Sequence, residues 1–450
     1  MKTNNYLILS LLCLLQTAGA GDVDVAGGNH QTIVLTPENH VLSFGQDLHI
    51  GTDEGKDFIG GKLGRPIDSH VLPGKDPKSI VAQANYNPVP AKVQGLDGLS
   101  IARLAIGQND AAAITTDGDV YVWGPNDHGQ LGLGDETQRR SAIKVPFPAD
   151  VKISAVDFGG AHMLALTTDG RVFSCGNNQN GQLGLGDEKP RLKPTLIEAL
   201  KDVKIIQIAA GQNTHSLFLA ENGTLYASGS NKSKEIGLGP EVPEGVNVAT
   251  AVKAPVPFKF VAVGVKTSFA IDRDGNLWGA GDGSKAHFGF TTPDGKPDLK
   301  DLPTFTRLPN APANLIAVGG GSRHVAVIDD QGAIYTWGIH ATLSAQLGIG
   351  PPKVEPGMDE LDGVTYSKPQ LVALPEGRKA TRLHVIANNV FVVTADQKVY
   401  GWGQTAHGRL GYGLKAVHSA VNANGRTLYH AHSPIEIPLT DDPSKIKLDP

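Results

Sequence analysis

Cysteine is scarce in this chain of 450 residues, which holds only Cys13 and Cys175. Cys13 lies in an N-terminal apolar segment that is expected to be removed, so Cys175 remains alone and no intramolecular disulfide can form. The fold must therefore be held by packing. Cys175 ends a short apolar run, and it is predicted to be a small buried strand residue rather than a reactive thiol.

Charge of one sign is not concentrated anywhere in the sequence. The net charge is −5, from 40 basic and 45 acidic residues, and no basic run stands out. Because phosphate binding needs clustered lysine and arginine, nucleic acid is not an expected partner. Aromatic residues are also few, at 6%, whereas 55 glycines and 29 prolines indicate a chain rich in turns.

A long hydrophobic run is missing as well. The N-terminal apolar stretch, residues 6–15, is about ten residues long, which is too short to span a bilayer. Lys2 precedes it and small residues follow up to Ala20, which is the pattern of a secretory signal peptide. We expect cleavage after Ala20, a secreted or periplasmic location and no stable membrane insertion. The mature chain, residues 21–450, would carry a net charge of −6 because only Lys2 is lost.

What the sequence does contain is a repeated unit. Residues 156–187, VDFGGAHMLALTTDGRVFSCGNNQNGQLGLGD, hold two apolar runs separated by Asp169-Gly170 and followed by a glycine-rich tail. An Asp-Gly pair between apolar runs predicts a β-hairpin, here with a type I′ turn that has φ > 0 at both central residues. The glycine that follows the turn recurs in seven copies: Gly45, Gly124, Gly176, Gly229, Gly281, Gly338 and Gly403.

The period of the repeat is about 52 residues, and it indicates the fold. Four short strands fit this length, with a segment such as 141–147 as the fourth. Seven four-stranded units that bury their faces against neighbours predict an all-β, seven-bladed β-propeller. The mature chain begins with an opening strand, and residues 433–450 resemble residues 141–158. We therefore expect strands from both chain ends to complete the last blade and close the ring.

The repeat resembles that of the RCC1 (regulator of chromosome condensation) family, most clearly in residues 107–135, GQNDAAAITTDGDVYVWGPNDHGQLGLGD. The resemblance covers nearly the whole mature chain and implies a seven-bladed propeller. The best-known members of the family exchange nucleotide on the small GTPase Ran, and others bind chromatin. The exchange factors use an aspartate-bearing loop of the Ser-Phe-Arg-Asp kind. The matching loops of this chain read PNDHG, NNQNG, SNKSK, DGSKAH and QTAHG, and they lack it.

No motif in the sequence indicates catalysis, a cofactor or a metal site. Four histidines, His30, His162, His215 and His324, recur near one position of the unit. On separate blades they would not converge on one metal ion, so a structural role is expected, such as a hydrogen bond to a neighbouring turn. The glycine-rich tails have the wrong glycine spacing for a phosphate loop and no following helix. We therefore predict no enzyme activity, no cofactor and no metal.

Function is expected in the segments that exceed the period, because insertions in repeat folds often form binding loops. These segments are residues 47–61, 64–90, 291–303 and 351–366. The first combines charges of both signs with an aromatic anchor, and its candidate partner-binding residues are Asp53, Glu54, Lys56, Asp57 and Phe58. The alternative that these segments are tolerated surface loops with no binding role stays open.

The first hypothesis is an exported, monomeric, non-enzymatic scaffold that binds another protein through its face loops. The alternative is a secreted effector that regulates a small GTPase, similar to a Ran-type guanine nucleotide exchange factor, because this would explain an RCC1-like ring outside the nucleus. A third hypothesis, an exported enzyme with residues scattered over the loops, also stays open.

Overall fold

The computed structural model describes residues 22–28, 31–47, 62–65, 87–212, 214–341, 345–351, 363–404, 410, 418–421, 427–437 and 439–440. Within this part of the chain the strands form seven antiparallel sheets arranged in a ring, so the predicted seven-bladed propeller is confirmed. The helical segments described are two single 3₁₀ turns, Glu198–Leu200 and Pro375–Gly377. Neither of them has the length or the apolar character needed to cross a membrane.

Each blade takes its strands in chain order from one repeat. Blades 1 and 2 contain β1 Asp24–Gly27, β2 Gln31–Leu35, β3 Val41–Gly45, β4 Asn87–Lys92, β5 Ile101–Ile106, β6 Ala111–Thr115, β7 Val120–Gly124 and β8 Arg139–Lys144. Blades 3 and 4 contain β9 Ile153–Phe158, β10 His162–Thr167, β11 Val172–Gly176, β12 Arg191–Leu196, β13 Ile205–Ala210, β14 His215–Ala220, β15 Leu225–Ser230 and β16 Gly245–Ala251.

Blades 5 and 6 contain β17 Phe258–Val263, β18 Thr267–Asp272, β19 Leu277–Gly281, β20 Leu302–Arg307, β21 Leu315–Gly320, β22 His324–Asp329, β23 Ile334–His340 and β24 Val364–Val372. Blade 7 contains β25 Ala380–Ile386, β26 Asn389–Thr394, β27 Val399–Gln404, β28 His418–Val421 and β29 Thr427–Glu436. In blade 7, β29 pairs with β27 as the fourth strand, and β28 adds a fifth strand at the edge.

The hairpin between the second and third strands is present in every blade, but its turn is not type I′. In blade 2 the Thr115 amide donates to the carbonyl oxygen of Asp119 and the Gly118 amide to that of Thr115, which encloses a three-residue loop. Gly118 has φ +79°, whereas Asp117 is not in the left-handed region. The turn is therefore of type I followed by a left-handed bulge residue, which needs only one positive φ. The expectation of two such residues was wrong.

The first strand of each blade is the innermost and lines a central channel. Side chains on these strands bond to the backbone of the next inner strand. The amide of Leu104 donates to Asp24 Oδ2 at 3.1 Å, the amide of Ala210 donates to Asp157 Oδ2 at 2.8 Å, and Gln207 exchanges two hydrogen bonds with Val261. These contacts hold neighbouring blades together around the channel.

The ring closes where blade 7 meets blade 1, and the predicted mixed blade is wrong. β1 pairs with β2 inside blade 1, and β29 supplies the fourth strand of blade 7. Since each repeat already begins with an inner strand, neither blade needs a strand from the other chain end. Side chains join the two blades instead: the Val23 amide donates to Gln397 Oε1 at 3.0 Å, and His384 Nε2 donates to the Gly27 carbonyl at 2.7 Å.

In blades 1 to 6 the glycine-rich tail forms the joint with the next blade. Gly132 in the tail of blade 2 has φ +69°, and a Cβ there would lie 3.1 Å from the sulfur of Cys175 in blade 3. The Trp337 indole in blade 6 donates to the His287 carbonyl in the tail of blade 5 at 2.8 Å. Cys175 is fully buried, and burial raises the pKa of its thiol, so the structural interpretation of this cysteine is confirmed.

The tail of the first repeat was not predicted, because its last two residues fall within the segment predicted as an insertion at 64–90. Residues 62–65 read KLGR, and Gly64 has φ +65° with its Cα against the buried Trp123. Ser43 donates to the carbonyl of Leu63 at 2.6 Å, as Ser174 does to that of Leu183 at 2.9 Å in blade 3. The first repeat therefore retains the joint, with extra residues on both sides of it.

Candidate functional site

Antiparallel pairing sends the strand connections alternately to the two faces of the ring. The tight hairpins between second and third strands lie on one face, together with the links between blades; we call it the turn face. The connections from first to second strand and from third to fourth strand lie on the other, which we call the loop face. β1 begins, and β29 ends, on the turn face.

The long connections all begin and end on the loop face, because each of them joins a third strand to a fourth. In blades 2, 3 and 4 these connections are short and equal in length, residues 125–138, 177–190 and 231–244. In blades 5, 6, 7 and 1 they are longer, residues 282–301, 341–363, 405–426 and 46–86. Blade 7 adjoins blade 1, so these four blades are consecutive around the ring. We call their four connections the insertion arc.

The predicted partner-binding residues belong to this arc but lie outside the described residues. This applies to Asp53, Glu54, Lys56, Asp57 and Phe58, and their role stays a prediction. The loop expected at 291–303 is described in full. The segment predicted at 351–366 overlaps the connection that ends where β24 begins, at Val364.

The blade 5 connection shows what kind of surface the arc offers. Thr291 and Pro297 form an antiparallel bridge, which makes residues 291–297 a small ordered loop. Lys300 Nζ lies 4.3 Å from the centroid of the Phe290 ring, and Asp298 pairs with the same lysine at 3.3 Å. Leu299 beside them is 47% exposed. An apolar side chain framed by charges of both signs suits contact with a protein rather than with a polyanion.

Five buried histidines lie beneath the arc in blades 5, 6 and 7. They are His287, His324, His340, His430 and His432. The ring centroids of His340 and His432 are 5.8 Å apart, and those of His430 and His432 are 4.5 Å apart. His340 Nε2 donates to the carbonyl oxygen of Gly350 at 2.9 Å. In the part of the chain that the structure describes, no set of three His, Cys, Asp or Glu side chains is placed to hold a metal ion.

Burial lowers the pKa of three of these histidines, His287, His324 and His340, and holds them in the neutral form. The pKa of His324 is lowered to about 3, chiefly by burial and also by the nearby His287 and His340. Burial also lowers the pKa of His287 to about 4, against a smaller opposing effect of Asp282. Both ring nitrogens of His324 lack a hydrogen-bond partner among the described residues. The base of the arc is therefore a region where protonation is unfavourable.

Two of the four repeated histidines, His162 and His215, have the structural role expected of them, with a different partner. His162 Nε2 lies 3.0 Å from Ser216 Oγ, and His215 Nε2 lies 3.2 Å from Ser268 Oγ, so each ring joins its blade to the next one rather than to a turn. Their rings cover the opening glycines: a Cβ on Gly159 would lie 2.0 Å from His162 Cε1. His30 lies outside the described residues.

The rest of the cluster was missed at the sequence level. His287, His340, His430 and His432 do not share a repeat position. His430 and His432 alternate along one strand, so their common face was a usable signal. His340 meets His432, and His287 lies near His324, only through the stacking of blades, which a period does not show.

Comparison with known proteins places the chain in a family. The profile described as the RCC1-like domain matches residues 61–431. The ultraviolet-B receptor UVR8 of Arabidopsis thaliana is 29% identical over 76% of this chain and 73% of its own length. The secretion-regulating guanine nucleotide exchange factor of Bos taurus is 29% identical over 67% of this chain and 63% of its own. The human E3 ubiquitin-protein ligase HERC2 is 30% identical, but the chain spans only 6% of that protein's length.

Solved structures agree on the fold. Human WBSCR16 superposes with a TM-score of 0.63 at 23% identity, covering 78% of this chain and 85% of its own. Prp20p of Saccharomyces cerevisiae, a protein with binding properties toward Gsp1p and histones, gives a TM-score of 0.60 at 23% identity, with 81% and 80% coverage. Together with the seven repeats and their glycine joints, the match over residues 61–431 shows that the chain belongs to the RCC1-like domain family.

Proposed function

We propose that the protein is an exported, monomeric, non-enzymatic scaffold that binds another protein through the insertion arc. The observation that carries the proposal is the position of the long connections. All of them begin and end on the loop face, and they belong to four consecutive blades. Insertions tolerated at random would have no reason to cluster in this way, whereas a single partner needs one continuous surface.

The chemistry of the arc supports a protein partner. Leu299 is an exposed apolar side chain beside Lys300 and Asp298, and Phe58 would add an aromatic anchor within a mixed-charge loop. The relatives include a receptor and an exchange factor, and Prp20p has binding properties toward other proteins. A ring that exposes its loops as a fixed array is consistent with these roles.

Site-specific photo-crosslinking tests the proposal. A photoreactive amino acid at Phe58 and, separately, at Leu299 should capture the same protein from the native source. Leu192 in blade 3 and Val248 in blade 4 are matched controls, because they are exposed apolar residues away from the arc. Capture of one shared protein at both arc positions, and not at the controls, supports the proposal. Different proteins at each position, or equal capture at Leu192, would contradict it.

Regulation of a small GTPase is the second candidate, favoured by the exchange factor among the relatives and by the Prp20p fold. The chain lacks the Ser-Phe-Arg-Asp loop of that activity. We therefore expect catalytic amounts of the mature protein to leave the release of fluorescent GDP from a Ran-type GTPase unchanged. Accelerated release would favour this second function over the scaffold.

Export is tested separately by intact-mass measurement of the secreted protein. A mature chain that begins at Gly21 is expected, since the small residues before it suit signal peptidase. A mass that retains residues 1–20 would defeat the signal peptide and the location together, without bearing on the insertion arc.

A further inference from the structure

The central channel contains a cavity that the proposed function does not use. Its volume is about 750 Å³, and it occupies the half of the channel next to the turn face, where the inner strands begin. This volume is in the range of small-ligand sites, which is roughly 300–1,000 Å³. The insertion arc lies on the opposite face, so the cavity is independent of it.

The wall of this cavity is largely apolar. Most of its apolar lining residues come from the inner strands of blades 1, 2, 3, 5, 6 and 7, and they include Val25, Ala26, Leu104, Phe260, Ile316 and Ala317. Val25 and Ala26 present side chains that are buried in the fold, whereas Leu104 and Ile316 are half-exposed. Such a lining suits the hydrocarbon part of a ligand.

Two arginines, Arg103 and Arg382, also line the cavity. Arg382 is committed to the fold, because its Nη1 lies 3.4 Å from Asp24 Oδ1 and its Nη2 donates to the carbonyl of Val23. Asp24 is committed as well, since it accepts the amides of Val25 and Leu104. These contacts join blades 7, 1 and 2 and leave Asp24 little capacity to bind a further donor.

Arg103 is different. Among the described residues its guanidinium has no hydrogen-bond or ion-pair partner within reach. Burial lowers the pKa of Arg103, the charge of Asp24 acts against this, and the neighbouring Arg382 adds to it. Because a guanidinium keeps its proton even when its pKa is lowered, Arg103 remains a cation. It therefore presents hydrogen-bond donors that no described residue uses to a largely apolar cavity.

The charge around Arg103 limits the ligand to a single negative charge. Asp157 accepts the amides of Phe158 and Ala210 in the same cavity, and burial raises its pKa to about 7. Asp330 lies at the mouth, where Lys259 is its nearby cation. The carboxylates of Asp24 and Asp330 repel an anionic ligand, and they repel a phosphate dianion more strongly than a ligand with one charge. A carboxylate matches the guanidinium fork with one charge.

We propose that the turn-face half of the channel binds an apolar monocarboxylate, with its carboxylate on Arg103 and its hydrocarbon body against the inner strands of blades 1, 2 and 6. The same chemistry occurs in a small organic acid and in the C-terminus of a peptide with an apolar last residue. The cavity volume accommodates either one.

Calorimetric titration of the mature protein with 3-phenylpropanoate, its uncharged amide and inorganic phosphate tests the site. The acid should bind, and the amide and phosphate should bind at least about tenfold more weakly. An acetylated tripeptide that ends in leucine distinguishes the second source: tighter binding than the free acid assigns the site to a chain terminus, and weaker binding assigns it to small acids. Failure of both carboxylates to bind would overturn the proposal.

Two variants place the ligand in the channel. Arg103→Gln should weaken binding of the acid at least about tenfold, whereas Arg140→Gln, an exposed arginine on an outer strand of the same blade, should not change it. Ala317→Phe keeps the charge and fills the cavity, and it should abolish binding. Undiminished binding by either channel variant, with a native circular dichroism spectrum, would overturn the assignment.

Discussion

The indole nitrogen of Trp402 in blade 7 donates a hydrogen bond to the carbonyl of Gln346 in the tail of blade 6, at 3.2 Å. Gly348, two residues further along that tail, packs directly under the same indole. Trp337 makes the equivalent bond to the blade 5 tail. The tail of one repeat thus packs against the third strand of the next repeat, and this contact holds neighbouring blades together around the ring.

Substitution of Gly348 by alanine should loosen this joint. A Cβ would lie 2.6 Å from Trp402 Nε1, and the backbone φ is +67°. Gly350→Ala is the control, because its φ is +89° and a Cβ there meets nothing within 4 Å. The positive φ costs both variants about 1–2 kcal/mol, and overpacking costs Gly348→Ala about 1–3 kcal/mol more. Urea denaturation measures the difference. Equal destabilisation of the two variants would contradict the packing role of Gly348 in the joint.

Acid should destabilise the ring through its buried histidines. His324 has a folded pKa of about 3, below its unfolded value of about 6.5. Between these two pH values the residue is protonated in the unfolded chain and neutral in the folded chain. The stability is fully present above pH 6.5 and falls as the pH decreases, by about 1.4 kcal/mol per pH unit for one such group. Between about pH 6.5 and about pH 5, His324→Phe should therefore lose about 2 kcal/mol less than the parent.

The comparison must use variants, because buried carboxyls act in the opposite direction. Burial raises the pKa of Asp110 to about 8 and that of Asp157 to about 7, so these groups favour folding as the pH falls toward 3.8. They are present in parent and variant alike and cancel in the difference. His128→Gln at an exposed position is the control and should follow the parent. Parallel curves for the parent and His324→Phe would contradict the prediction.

Deletion of residues 433–450 should affect blade 7 and spare the pairing of β1. It removes Ile435 and Glu436, the partners of Gly401 and Tyr400, and exposes an edge of β27. β1 remains paired with β2. In hydrogen exchange, amides of residues 399–401 should lose protection while those of residues 25–27 keep it. Selective loss of amide protection at residues 25–27 would instead support a closing blade formed by strands from both chain ends.

Cys175 should be inert in the folded protein, because its side chain is buried and burial raises its thiol pKa. Labelling by a disulfide reagent is expected to be at least about a thousandfold slower in the native protein than in concentrated guanidinium, since it must await opening of the structure. A Lys193→Cys, Cys175→Ala variant, exposed on β12, should label at once. Rapid labelling of native Cys175 would contradict its place in the blade 2–3 joint.

The sequence is enough to predict the number of blades, because a period with a glycine anchor records how many times a unit was copied. It is not enough to predict closure. Whether β1 pairs within blade 1 or with the last blade depends on where a unit begins, and a period is the same from any starting point. The turn type was missed for a similar reason: Asp117-Gly118 is compatible with two kinds of turn, and only the register of Thr115 with Asp119 distinguishes them.

The excess length of the connections predicts which segments form the candidate site. It does not predict from which face of the ring these segments emerge. The side follows from strand order, which assigns every third-to-fourth connection to the loop face. His287 and His340 come together with His324 only after folding. Arg103 and Arg382 share one repeat position, after the register shift of the inner strand, so the repeat does not show that one is paired with Asp24 and the other is not. These features arise between blades, where one repeat alone carries no information.

The positions of the first and last strands of the chain have a practical consequence. Since β1 begins and β29 ends on the turn face, a linker fused directly to either strand would leave the ring on the face opposite to the one where the insertion arc begins and ends. A molecule immobilised through either of these strands would thus have its loop face directed away from the support.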